Sequence, residues 1–370
     1  MQSTALKEIK EIPAAQSDIT AEVCEPDPLT EDEKAALLPC LDARGLQPAM
    51  LDIMTGIRDR TRIVKVRSRD GALLGLTSVL RGPSIFMKHC FGHGNHIGTN
   101  STFFFTGTHN KAGVLSAIFK KFTEMQSFGF YIGFIDEDMA ADFRDALSDV
   151  PHVVADRVME TGAIDTGEPD TLQALLKKHK HLSRQVNRFK NNGGTVHIHE
   201  GPVEDSLADA FVSCCVHSYR RNSHPGRPID VERYGAHVRN FLTTFPATVH
   251  IYARLSGTVV GVQSFIRHTR HLELTEGGFL THTCHAYENI IAASAQYGLE
   301  QNLERVSYGL ILNGPKNRLM DKANRKPVFL VMFFQEPPDE AAAQDYRRHA
   351  HERFPQLLWR PRSAFEHLPI

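Results

Sequence analysis

Two stretches of this chain are built alike, and the likeness narrows the folds open to it. They are Ile63–Arg81 and Val249–Arg267. With Asp70-Gly71 set against Ser256-Gly257, they share Gly71/Gly257, Gly75/Gly261, Ser78/Ser264 and Arg81/Arg267. Asp-Gly and Ser-Gly between β-rich runs are hairpin turn signals, because glycine reaches the positive φ that a tight turn demands. Each stretch therefore reads as a hairpin. The second glycine of each, inside a strand pattern, marks a bulge or a close approach of another backbone.

After each hairpin the elements keep one order: a β-like segment, a loop, a helix and a short strand. In the first copy these are Ser101–Phe105, Thr106–Lys111, a helix near Ala112–Gln126 and Phe130–Ile135. In the second they are His271–Phe279, Leu280–His285, a helix near Ala286–Asn302 and Arg305–Leu310. A duplicated α/β unit explains both. The length agrees, since 370 residues exceed what one core of up to about 250 residues fills. The expected organisation is an acidic, loosely ordered N-terminus over 1–30, a first unit over 31–165 and a second over 166–370. Ten acidic residues against four basic ones in the first fifty carry the first of these readings.

Composition excludes several classes. Lys+Arg 42 against Asp+Glu 43 leaves almost no net charge, so any polyanion contact must come from a local patch. The six cysteines form no CxxC pair, which argues against a secreted disulfide framework. With no apolar leader or spanning stretch in view, a cytoplasmic location is expected.

One local patch stands out. Thr171–Lys190 reads as a helix with Leu172, Leu175, Leu176, His179, Leu182, Val186 and Phe189 on one face. Its other faces carry Lys177, Lys178, Lys180, Arg184, Arg188 and Lys190 with no acid to offset them, and Asn191-Asn-Gly-Gly194 ends it. Lys180, Arg184, Arg188 and Lys190 are candidates for holding a phosphate or tRNA backbone.

The run Leu182–Val196, a basic helix turning through glycine into a strand, resembles the start of the second domain in tandem GNAT-fold transferases. These include Fem-type aminoacyl-tRNA transferases and related N-acyltransferases. The closing pattern Tyr308-Gly-Leu-Ile-Leu-Asn-Gly-Pro-Lys-Asn-Arg-Leu-Met320, with Lys326–Phe333 after it, strengthens the resemblance, which spans roughly residues 50–335. It implies an α/β fold of two tandem GNAT-like domains, each a twisted mixed sheet flanked by helices. The implied activity is N-acyl transfer from an acyl-CoA co-substrate to a small-molecule amine or amino-acid acceptor. Two other readings stand beside it: an aminoacyl-tRNA-dependent transferase forming an amide or peptide bond, and a non-catalytic nucleotide- or RNA-binding protein. The Arg/Gln-x-x-Gly-x-Gly/Ala phosphate fingerprint of single-domain relatives is missing from both loops, Thr106–Gly113 and Leu280–Ala286. That absence leaves the donor open between a CoA thioester and an aminoacyl ester.

Acyl transfer to an amine needs a proton acceptor, donors around the developing oxyanion and a proton for the leaving group. By the resemblance, Glu276 is the candidate base, Tyr308 the candidate acid and Lys316 the cation of the closing turn. His217, Tyr219, Arg220 and His224, in a basic and aromatic connection between helices, are candidate acceptor contacts. Glu273, His282 and His285 complete the substrate-binding set. His89, Cys90, His93 and His96 have metal-like spacing, but their Gly-rich setting reads as an inserted loop, and no metal is expected.

Overall fold

The computed structural model describes residues 19–24, 29–44, 47–48, 51, 61–81, 86–87, 103–107, 111–125, 128–134, 153–167, 173–174, 177, 180–222, 231–281, 284–310 and 326–334. Among these, the first half supplies β1 (Ile19–Cys24), α1 (Glu31–Arg44), β2 (Thr61–Ser68), β3 (Leu73–Arg81), β4 (Phe86–Met87), β5 (Phe103–Phe105), α2 (Lys111–Met125), β6 (Phe128–Phe134) and β7 (Val153–Asp165). The second half supplies α3 (Lys180–Asn191), β8 (Gly194–Glu200), α4 (Asp205–Asn222), α5 (Val231–Thr244), β9 (Thr248–Leu255), β10 (Thr258–Arg267), β11 (His271–Phe279), α6 (Ala286–Glu300), β12 (Arg305–Leu310) and β13 (Lys326–Phe334). The hairpin, strand, helix, strand order occurs twice.

The strands form two sheets. One has the order β1-β2-β3-β4 with β5 also on β3; the other has the order β6-β13-β7-β12-β11-β10-β9-β8. In the second sheet the last strand of each half lies beside strands of the other. β13 pairs antiparallel with both β6 and β7, and β7 pairs antiparallel with both β13 and β12. This exchange places a local pseudo-twofold between β7 and β13.

Both hairpins form, and the second glycine of each sits at a bulge. β3 carries one extra residue where Val66 pairs with Gly75 and Arg67 with Leu73; β10 carries one where Ala253 pairs with Gly261 and Arg254 with Val259. Each glycine then faces a phenylalanine on the next strand, Gly75 opposite Phe105 and Gly261 opposite Phe279. An added Cβ at Gly261 would lie 2.3 Å from the Phe279 ring, and one at Gly75 would lie 2.7 Å from the Phe104 carbonyl oxygen. The two turns differ. Ser256 (φ 51°) and Gly257 (φ 81°) form a two-residue turn with both centres left-handed, whereas Arg69-Asp70-Gly71 is a three-residue loop closed by Ser68 N–H to Ala72 O. The extra residue shifts the first strands by one relative to an ungapped alignment, so Ile63, opposite Ser78, is the counterpart of His250, opposite Ser264.

Two buried clusters flank the second sheet. One joins the halves: Leu37, Leu41, Ile63, Leu76 and Phe104 pack with Phe211, Cys214, Tyr234, Val238, Val262 and Ile266. The other, on the opposite face, takes Leu182 and Phe189 of α3 and Ile290, Ile291 and Ala295 of α6 against Ile251, Phe265, Leu272 and Tyr308. Burial of apolar side chains at roughly 1.5–3 kcal/mol each holds these layers together. The basic helix is described continuously over 180–191, with 173–174 and 177 also helical.

Candidate active site

Strand β11 determines the site. An alternating strand would send Glu273 and Glu276 to opposite faces, because they are three positions apart, an odd number. The ladder with β10 slips at Thr275: Ser264 pairs with Glu276, and Phe265 with Leu274. Cross-strand partners share a face, so Glu276 lies with Ser264 and Val262, and Glu273 with Ile266. The bulge thus turns both carboxylates to one face of the sheet, Glu276 against Tyr234 of α5 and Glu273 beside His268, and both are buried.

Glu276 is held there by a tyrosine that the sequence reading missed. The Tyr234 hydroxyl, from α5, donates to Glu276 Oε2 at 2.9 Å, and the Tyr219 ring from α4 stacks on Tyr234 at 4.3 Å between centroids. Burial, and then the Glu276 charge, pushes the Tyr234 phenol far above its ordinary pKa, so it remains a donor. Burial likewise raises the Cys214 thiol, to about 12, and lifts that of Cys215 well above its usual value, so neither is a thiolate nucleophile.

The helix comes close because β11 has no side chains there. A Cβ at Gly278 would lie 2.2 Å from the Cys214 carbonyl oxygen and 2.4 Å from Cys215 Cα. Ser218 fixes the same approach, accepting from Phe279 N–H at 2.8 Å. A buried polar row continues across the face. His250 Nε2 meets the Gly201 carbonyl at 3.1 Å, and its Nδ1 meets the Ser264 hydroxyl at 2.8 Å, next in line to Glu276. Burial lowers the His250 pKa to about 3, so the ring is neutral.

Beside this row the sheet opens. β11 and β12 are parallel and pair only from His271–Arg305 to Glu273–Ser307, although both strands run on. Backbone groups of β11 beyond Glu273 on that edge are not taken up by the β11–β12 ladder. At the far end of the strand the Phe279 N–H and carbonyl bond Ser218 of α4 instead. α6 begins past this opening. His285 precedes it in the left-handed region (φ 61°) without a side-chain cap, and its carbonyl accepts from Asn289 Nδ2 at 3.0 Å.

The other candidates divide by position. Tyr308 lies on the opposite face from Glu276, fully buried; its hydroxyl meets Ser294 Oγ at 2.5 Å and donates to the Ile291 carbonyl at 3.3 Å. Burial raises its pKa. His217 and Arg220 are exposed on α4, and Tyr219 is half-buried against Tyr234. Arg184, Arg188 and Lys190 are exposed on α3, and none is in an ion pair with a described residue; Lys180 opens the helix. Lys316, His224, His282 and the stretch 89–98 lie outside the described residues. One more feature was not read from the sequence: His268, His271 and Glu273 are buried together, with donor atoms all within 4.8 Å of one another.

Two tandem units of GNAT-like topology, sharing one eight-stranded sheet, define the fold class of this chain. No family model and no curated protein matches it. Solved structures do. L-PGS from Bacillus licheniformis aligns over 88% of this chain and 97% of its own at 13% identity and a TM-score of 0.57. The C-terminal domain of a putative lysylphosphatidylglycerol synthetase from Agrobacterium fabrum aligns over 87% and 97% at 12% identity and 0.54. FemX aligns over 77% and 90% at 9% identity and 0.50. At these identities the likeness is one of fold. Among the described residues no helix is long and apolar enough to cross a membrane.

Proposed function

We propose that the protein is an acyltransferase that moves an acyl group from an activated ester or thioester to an amine, using the cleft between β11 and β12. The observation that carries this reading is Glu276, a buried carboxylate oriented by Tyr234 beside the point where parallel strands part. An amine reaching Glu276 from the α4–α5 side loses its proton to the carboxylate as it attacks the acyl carbon. Backbone N–H groups on the open edge of β11 receive the developing oxyanion, and the acyl–sulfur or acyl–oxygen bond breaks to release a thiolate or alkoxide on the α6 side, where solvent protonates it. Tyr219, His217 and Arg220 border the acceptor approach.

The donor is either an acyl-CoA or an aminoacyl-tRNA. The three exposed, uncompensated cations of α3, which packs with α6 on the face opposite Glu276, favour the longer polyanion. Solved structures of similar fold named as L-PGS and FemX support the same choice. The one-chain opening between β11 and β12 equally suits the slender arm of CoA.

The test offers the protein a panel of acyl-CoAs and a mixture of charged tRNAs with primary amines, and follows release of free CoA or deacylated tRNA. Acceptor-dependent release that falls about 100- to 10,000-fold in Glu276→Gln is expected. Unchanged release in that variant contradicts the reading. Loss of activity in Arg184→Ala/Arg188→Ala/Lys190→Ala that mirrors added salt selects tRNA; indifference to both selects CoA.

A further inference from the structure

The hairpin joining β10 to β11 holds three metal-type ligands that the proposed transfer does not use. His268 lies just past the end of β10, His271 opens β11, and Glu273 lies two residues on, on the same side of the strand. All three are buried, at 4% exposure or less. His268 Nε2 and Glu273 Oε2 face each other at 3.5 Å, yet neither has a hydrogen-bond partner. A buried carboxylate oxygen and imidazole nitrogen left this way have given up water without a replacement partner, which is unfavourable for both.

The spacing explains what would relieve that cost. At 3.5 Å the pair is too far apart for a good N–H to carboxylate bond. Two ligands bound at about 2.0–2.1 Å to one tetrahedral ion stand about 3.4 Å apart, close to the separation seen. Two imidazoles and one carboxylate suit a borderline dication of the zinc class and are a poor set for calcium or magnesium, which take oxygen ligands.

We infer that His268, His271 and Glu273 form a binding site for a zinc-class dication, with a water completing the tetrahedron. The bound ion cross-links the β10–β11 turn to the first residues of β11, where β11 pairs with β12 before the two part. It also acts at the junction between the halves, because Arg270 in the same turn donates to the Ala43 carbonyl at 2.8 Å and Gln47 N–H donates to His268 Nδ1 at 3.4 Å. That last bond fixes the proton bookkeeping. With Nδ1 accepting, Nε2 is the N–H nitrogen; when the ion takes Nε2, that proton moves to Nδ1. Two N–H groups then face each other, so the Gln47 amide turns away on binding.

The experiment uses the full chain, stripped with a chelator and titrated with Zn²⁺ by calorimetry and with Co²⁺ by visible absorption. The comparison proteins are His271→Ala, Glu273→Gln and a His93→Ala/His96→Ala control, with circular dichroism confirming each fold. The expected result is one equivalent bound by wild type and control, a tetrahedral Co²⁺ spectrum, and affinity lower by more than about 100-fold in both ligand variants. Faster hydrogen exchange at Gln47 with Zn²⁺ present is expected too. No binding by folded wild type, or binding that disappears in the control while surviving in Glu273→Gln and His271→Ala, overturns the site.

Discussion

Strand β5 of the first copy and strand β11 of the second occupy equivalent places and are finished in opposite ways. β5 reads Phe103-Phe104-Phe105, all buried, with Phe103 tilted against Phe119 at 6.1 Å and Phe104 in the cluster shared by the two halves. β11 reads Gly277-Gly278-Phe279 over the same register, preceded by Glu276 where the first copy has Thr102 in sequence. The row behind it differs in the same sense, with His250 where the first copy has Ile63. The first copy fills its sheet face with rings. The second leaves room for a helix backbone and a buried carboxylate, and low local bulk beside a held charge is what a reaction cleft requires.

The largest stability effect that would break this comparison is at Gly278. Gly278→Ala puts a methyl group 2.2 Å from the Cys214 carbonyl, so the unfolding free energy should fall by about 3 kcal/mol, read as a lowered denaturant midpoint. Gly75→Ala meets the Phe104 carbonyl at 2.7 Å and the Val114 side chain at 2.8 Å, and should cost about 2 kcal/mol.

A pH series sharpens the contrast between His250 and Ile63. The ordinary pKa of 6.5 is lowered by burial to about 3 in the folded chain, so between these values the unfolded state alone binds the proton. Stability is therefore full above pH 6.5 and falls with acidification by up to about 1.4 kcal/mol per pH unit. Urea unfolding at stepped pH should show a shallower slope over that window in His250→Gln than in wild type. The smallest effect belongs to Tyr308→Phe. Losing the Ser294 and Ile291 bonds should cost about 1 kcal/mol in thermal unfolding and leave the pH profile of transfer unmoved.

The duplication was legible because hairpin glycines are demanded by backbone geometry, which a sequence displays directly. Gly71 and Gly257 turn the chain at positive φ, and Gly75 and Gly261 mark the bulges. The one-residue offset between the first strands was not legible, since Asp70-Gly71 and Ser256-Gly257 look alike while one loop is longer by a residue. The exchange of β7 and β13 between halves was hidden for a different reason: strand partnership is a long-range choice that local pattern does not encode. That Glu276 lies on a strand was legible. Its face was not, because the bulge at Thr275 overrides alternation, and Tyr234 lay in an ordinary amphipathic helix that gave no signal. The His268/His271/Glu273 cluster had a readable spacing, H-x-x-H-x-E, but spacing alone does not show that the turn after β10 folds the three together.

The division of labour between the copies is tested most directly by measuring acyl transfer per folded molecule in Glu276→Gln and Gly75→Ala side by side. Unequal copies predict that Glu276→Gln keeps the wild-type melting temperature and loses transfer about 100-fold or more, while Gly75→Ala melts earlier and transfers normally. Transfer that survives in Glu276→Gln and disappears in folded Gly75→Ala would place the chemistry in the first copy and contradict the account.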